Sequence, residues 1–307
     1  MTEANISRMP MTLTLGPLLF NWTPDRWRDF YAQIADEAPV DFVCIGEVVC
    51  SKRAPFYADL VDDAVSRLER AGKTVIFSTL ILPTLDRERR QIAELAETAG
   101  LLVEANDVSA LAHLSGRPHA IGPYVNVYNE AALAFLARKG ATRICLPPEL
   151  PLTSIQAIIA GLPQPVAVEV FAFGRAPLAI AARCYHARIH GLAKDSCQFV
   201  CAQDPDGLDA DTLDGEPFLS VNGVQTLSRT YVSALGEVPK LAQAGVSGLR
   251  LSPQTVDMVA VAHQFRDVLD GAREPQAAGE ALQALAPGVA FSNGFLHGIE
   301  GVKFARG

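Results

Sequence analysis

The protein has 307 residues, 49% of them hydrophobic and 20% charged, with a formal net charge of −8 at pH 7. Such a chain can bury a large core, and its acidic balance argues against a long nucleic-acid backbone as the main partner. No run is apolar for long enough to span a membrane, and the start, MTEAN, lacks the basic region and small-residue cleavage site of a signal peptide, so the sequence reads as cytoplasmic.

The first predicted strand is TLTLG from Thr12. A helix follows, capped by Thr23 with Pro24 at its first position, and Trp27, Phe30, Tyr31 and Ile34 form one apolar stripe along it. The second strand is FVCIGE from Phe42, and Val61, Ala64, Val65 and Leu68 then mark a helix that stops at Gly72. TVIFSTLI from Thr74 is the third strand, and the mixed charge run DRERR, Asp86 to Arg90, belongs on a solvated helix face. LLVEAND from Leu101, AIGPYVNV from Ala120, TRICLPPE from Thr142, VAVEVFAF from Val166 and GLRLSP from Gly248 continue the strands. A last helix carries Met258, Val261, Ala262, Phe265, Val268 and Leu269 on one face and ends at Gly271.

Most of these strands are apolar on both faces, as in a parallel sheet covered by helices. Eight strands alternating with helices is the count of an α/β fold of the (β/α)8 TIM-barrel type, with some irregularity, in one domain spanning 1–307; strand count alone leaves a doubly wound open sheet open. The spacing breaks once, between Phe173 and Gly248. An insertion over residues 174–224 holds a cysteine segment, the acidic stretch QDPDGLDADTLDGE and a further strand-like run, FLSVNG.

Three of the six cysteines lie in ARCYHARIHGLAKDSCQFVC, Ala182 to Cys201. In a reducing compartment, clustered thiols are more often metal ligands or redox groups than structural disulfides. Cys44 and Cys145 sit inside strand runs and read as small core residues. Cys50 follows the end of the second strand, and Cys184, Cys197 and Cys201 follow the end of the seventh. In a barrel those ends open on one rim, so Cys50 can meet the other three across 134 residues of sequence and is the expected fourth ligand. His186 and His190, four apart, compete for that role, because Cys2His2 zinc sites exist, although a lone surface histidine is the commoner reading of each. The motif H-E-x-x-H is absent. Four thiolates suit a structural zinc or a 4Fe–4S cluster, and the spacing hardly separates the two.

Glu47, Glu104, Asn126, Glu149 and Glu169 fall near strand ends and are candidate substrate-binding groups on the same rim. Arg183, Arg188 and Lys194 are placed to offset a cluster's charge or to bind an anionic donor, and Arg183 is the candidate ligand for substrate. A cysteine nucleophile served by a remote histidine, His113 or His119, is the peptidase alternative.

The stretch VEVFAFGRAPLAIAARCYHAR, with IGEVVCSKR, KDSCQFVC, VNGVQTLS, LRLSPQ and SNGFLHGIEG, resembles the collagenase-like peptidase family U32. The likeness is strongest to members needed for oxygen-independent ubiquinone biosynthesis. That resemblance implies a 4Fe–4S cluster on Cys50, Cys184, Cys197 and Cys201. It implies a heterodimer with a paralogous family member, an SCP2-type lipid-binding accessory protein, and ring hydroxylation of a ubiquinone precursor with prephenate as a plausible oxygen donor. Many family members carry a cysteine where this chain has Pro177 and a histidine where it has Phe173, a departure that puts peptide cleavage in doubt. A non-catalytic cluster-bearing subunit and an RNA hydroxylase are the further readings, the latter weakened by the acidic balance.

Overall fold

The computed structural model describes residues 11–162 and 165–305. Seven parallel strands follow one another around a barrel: β1 (Thr12–Leu15), β2 (Phe42–Ile45), β3 (Thr74–Ser78), β4 (Val103–Ala105), β5 (His119–Ile121), β6 (Ala141–Cys145) and β7 (Ala167–Ile180). After an excursion that contains β8 (Leu208–Asp211), β9 (Pro217–Asn222) and β10 (Gln225–Ser233), β11 (Gly248–Leu251) returns between β7 and β1. Gly248 pairs with Glu169 on one side and with Thr12 on the other, which closes the eight-stranded barrel and removes the open-sheet alternative.

Helices α1 (Pro24–Glu37), α2 (Val61–Arg70), α3 (Asp86–Glu97), α4 (Leu111–Leu114), α5 (Glu130–Arg138) and α6 (Leu152–Ala160) follow the first six strands. A short helix, α7 (Tyr185–Ile189), belongs to the excursion, and α8 (Val238–Gln243), α9 (Met258–Leu269) and α10 (Pro275–Leu285) complete the outer layer. Their starts are chemically marked. The Thr23 hydroxyl accepts from Arg26 N, and Asn129 and Asp257 cap α5 and α9 in the same way. Trp27, Tyr31 and Ile34 of α1 and Val261, Ala262 and Phe265 of α9 are buried, as the apolar stripes require. The charge run at the start of α3 is exposed except for Glu88, which is buried and accepts from Thr84 N and Leu85 N.

The seventh strand does not end at Phe173. Gly174, at φ +110, lets the backbone bend where a Cβ would meet Ser252 O at 3.0 Å, and β7 then runs on to Ile180 outside the barrel. There it pairs antiparallel with β10, which pairs with β9 and then β8, while β12 (Phe291–Ser292) adds to β10. Residues 174–180 are therefore strand, and the sequence reading missed β8, β10, β12 and α10. The acidic run in and before β8 is balanced by Arg175 and Arg229, which pair with Asp206, Asp209 and Asp211.

The barrel interior is partly ionic. Arg250 pairs with Glu104 and, at 2.7 Å, with Glu169; Arg143 reaches Glu169 at 2.6 Å, and Ser78 donates to Glu104 at 2.8 Å. Both glutamates are fully buried. Burial alone would raise the Glu169 pKa, but Arg250 and Arg143 outweigh it and hold the carboxyl below its ordinary value. Their expected place among solvent-facing rim residues is thus corrected: β4 and β7 turn these side chains into the lumen, where guanidinium groups occupy them.

Candidate metal centre on the barrel rim

Cys50, Cys184, Cys197 and Cys201 line one cavity at the C-terminal end of the barrel, together with Arg53, His186, Lys194 and Phe199. The structure thus brings the segment after β2 to the segment after β7. Several contacts join them. Lys52 Nζ donates to Lys194 O at 2.6 Å and lies 3.5 Å from Asp195, and Phe56 packs edge-on against Phe199 with ring centroids 4.6 Å apart. Buried Arg53 donates to Leu19 O at 3.1 Å and to Asn222 Oδ1 at 2.8 Å, linking the loops after β1 and β2 to the end of β9. Asn222 Nδ2 in turn holds Cys201 O and Asp204 O at 3.1 and 2.8 Å.

Glu47 is a positioning residue for this loop. Its Oε1 accepts from Val49 N and Cys50 N, both at 2.8 Å, and its Oε2 accepts from the Tyr57 hydroxyl. Ser51 is fixed by Glu88, so carboxylates hold the loop on both sides of the Cys50 sulfur. Gln198 and Phe199, between Cys197 and Cys201, both have positive φ (49° and 53°), which is uncommon for residues with side chains and clusters at functional sites.

The donor set fits a thiolate-held metal group. Ala187 N donates to Cys184 Sγ at 3.5 Å and Asn21 Nδ2 to Cys201 Sγ at 3.6 Å. The cations of Arg53 and Lys194, which line the same cavity, oppose the negative charge that thiolates would bring. A tetrahedral zinc with Zn–S bonds of about 2.3 Å needs sulfurs about 3.8 Å apart. Among the described residues, the ligand atoms gathered in threes within 4.8 Å are those of His186, His190 and Asp204 rather than the thiols.

Without such a group the Cys50 and Cys184 thiols are not activated nucleophiles. Burial pushes the Cys50 and Cys184 thiols up. Cys44 and Cys145 are fully buried inside the barrel; burial raises the first well above the usual thiol value and the second to about 12. His119 begins β5, at the opposite end of the barrel from the thiol cavity, with Nδ1 on Arg117 O at 2.7 Å, and His113 pairs with Glu97 on the outside. His186 is buried, its Nδ1 on Val221 O at 3.3 Å, and burial lowers its pKa.

The other predicted polar residues stand apart from the thiols. Asn126, exposed and at φ +61, lies in the loop after β5, and half-buried Glu149 accepts from Tyr128, whose pKa is pushed up to about 12, chiefly by burial. Arg183 and Arg188 are exposed, and of the three predicted cations Lys194 lines the cavity. Sequence reasoning missed Arg53, Asn21, Asn222 and Gly223 as parts of the site. Gly223, at φ +62, leaves room for Arg53, whose Nη2 would lie 2.6 Å from a Cβ there.

The architecture is a closed (β/α)8 barrel that gathers four thiols above the C-terminal ends of its strands. The chain belongs to peptidase family U32, whose sequence model matches residues 23–304. It is similar to a solved U32 peptidase structure at 11% identity, covering 83% of this chain and 96% of that one, with a TM-score of 0.41. A dihydrodipicolinate synthase family protein from Coccidioides immitis matches at 13% identity over 92% of this chain and 80% of its own, TM-score 0.48. A dihydrodipicolinate synthase from Agrobacterium tumefaciens matches at 12% identity over 88% and 79%, TM-score 0.38.

Proposed function

We propose that the chain is a UbiV-type member of family U32: the iron–sulfur subunit of a cytoplasmic, oxygen-independent hydroxylase acting on the aromatic ring of ubiquinone precursors. It works with a UbiU-like paralogue as a heterodimer and with an SCP2-type lipid-binding protein, and prephenate serves as oxygen donor. The observation that carries this reading is the meeting of Cys50 with Cys184, Cys197 and Cys201 around one cavity, with N–H donors on the sulfurs of Cys184 and Cys201. Cys50, Cys184, Cys197 and Cys201 would hold a 4Fe–4S cluster, which supplies one-electron transfer when bound. Glu47 and Glu88 fix the Cys50 loop, Asn21, Arg53 and the Ala187 N–H would stabilise the thiolates, and Phe56 packs on Phe199, which lines the cavity. With a cysteine at each of its four positions, such a cluster would leave no iron open to substrate, so electron delivery or partner docking is the role these residues support.

The test is ubiquinone production under anaerobic growth in a bacterium lacking its own copy of this subunit. The wild-type chain with its paralogue should restore ubiquinone, and Cys197→Ala should not. Restoration by Cys197→Ala equal to wild type would refute a cluster-dependent role, and failure of the wild type beside a functional paralogue would refute the ubiquinone assignment. The peptidase reading gains nothing from its candidate histidines, because His113 pairs with Glu97 and His119 begins β5 at the far end of the barrel, while Cys44 and Cys145 face guanidinium and carboxylate groups.

A further inference from the structure

The two histidines of the cysteine segment are not explained by the thiol cavity. His186 and His190, four residues apart, bring their rings together with centroids 5.4 Å apart and planes 17° from parallel. Asp204 joins them from the turn after Cys201, its Oδ2 3.0 Å from His186 Nε2. One ligand atom from each of the three residues lies within 4.8 Å of the others.

His186 Nε2 is fully buried and has no hydrogen-bond partner, although the Asp204 carboxylate is 3.0 Å away. Two ligand atoms 3.0 Å apart are about as close as they would be on one cation. Around this nitrogen the supports are in place. His186 Nδ1 rests on Val221 O at 3.3 Å, which leaves Nε2 as the free ligand atom, the usual outer support of a metal-bound imidazole. Asn222 Nδ2 holds Asp204 O at 2.8 Å and so fixes the turn that carries the carboxylate. His190 is exposed and Asp204 half-buried, so a fourth position would face solvent.

We infer that His186, His190 and Asp204 form a second metal site, distinct from the four thiols, that takes a first-row divalent cation such as Zn2+ or Fe2+ on two imidazoles and one carboxylate. Imidazole and carboxylate donors suit these ions, and three protein ligands leave a position for water or an anionic ligand. The site uses none of the cysteines and stands whether or not the thiols hold a cluster. His186 also lines the thiol cavity, so the cation would sit beside that centre.

The test uses full-length protein purified without oxygen, titrated with Zn2+ and in parallel with Fe2+ against a competing chelator, in the wild type and in His190→Ala and Asp204→Asn. All three proteins keep every cysteine, and His190 is exposed, so its truncation leaves the fold intact. One cation per chain should bind in the wild type and bind about 100-fold more weakly in either variant. X-ray absorption at the zinc edge should show a nitrogen and oxygen shell at about 2.0–2.1 Å. Equal binding in wild type and His190→Ala, no binding in the wild type, or a zinc shell of sulfur at about 2.3 Å would overturn the assignment.

Discussion

Replacing Glu47 with Ala removes the anchor of the Cys50 loop. Its carboxylate accepts two backbone N–H bonds of 2.8 Å, from Val49 and Cys50, and the Tyr57 hydroxyl. A hydrogen bond to a charged group contributes about 1.5–3 kcal/mol when measured singly. The three share one acceptor and Glu47 is half-buried, so water replaces part of what is lost and the sum falls short of additive. We therefore expect Glu47→Ala to destabilise the protein by about 3 kcal/mol, and Glu47→Gln, which keeps an acceptor oxygen, by about 1 kcal/mol. At a urea slope of about 3 kcal/mol per molar, the midpoint of Glu47→Ala falls by about 1 M. The Cys50 thiol should also react faster with iodoacetamide in native buffer. A midpoint within about 0.2 M of wild type, with Cys50 reactivity unchanged, would refute the positioning role.

Further expectations follow from the same contacts. Gly223→Ala puts a methyl group at φ +62 against Arg53 Nη2, and should cost about 2 kcal/mol by chemical denaturation and lower the metal content of the thiol site. The Glu169 carboxyl, held below its ordinary 4.5, contributes stability that is complete above that value and lost as pH falls through its folded-state pKa. The wild-type urea midpoint should therefore drop as pH falls below about 4.5, and Glu169→Gln, weaker by about 3–5 kcal/mol at pH 7, should fall less steeply. Alkylation of the metal-free native protein at pH 8, read by peptide mass, should label Cys50, Cys184 and Cys197 and spare Cys44 and Cys145 until urea unfolds the chain; early labelling of Cys145 would contradict its burial and its pKa of about 12.

The barrel was legible because its strands are short apolar runs between capped, striped helices, and the ends of those runs told which cysteines share a rim. Where tertiary pairing rather than local pattern decided the outcome, the sequence was silent. Gly174 reads as a strand end, yet it is the bend that lets β7 pair with β10 beyond the barrel. Glu104 and Glu169 look like rim carboxylates, because nothing in their own strands announces that Arg250, on β11, will occupy them from inside. Arg53 lies in the segment that drew attention to Cys50, but its partners Leu19 and Asn222 come from the loop after β1 and the end of β9, both remote in sequence. Gly223 in VNGVQ was the available signal there, an Asn-Gly pair that marks a tight turn.

The most direct test of the central claim is the iron and acid-labile sulfide content per chain, with the absorption spectrum, after oxygen-free purification of wild type and Cys50→Ala. The account predicts about four irons and four sulfides in the wild type, with both falling sharply in the variant. Zinc on the thiols, or iron content indifferent to the loss of Cys50, would contradict it.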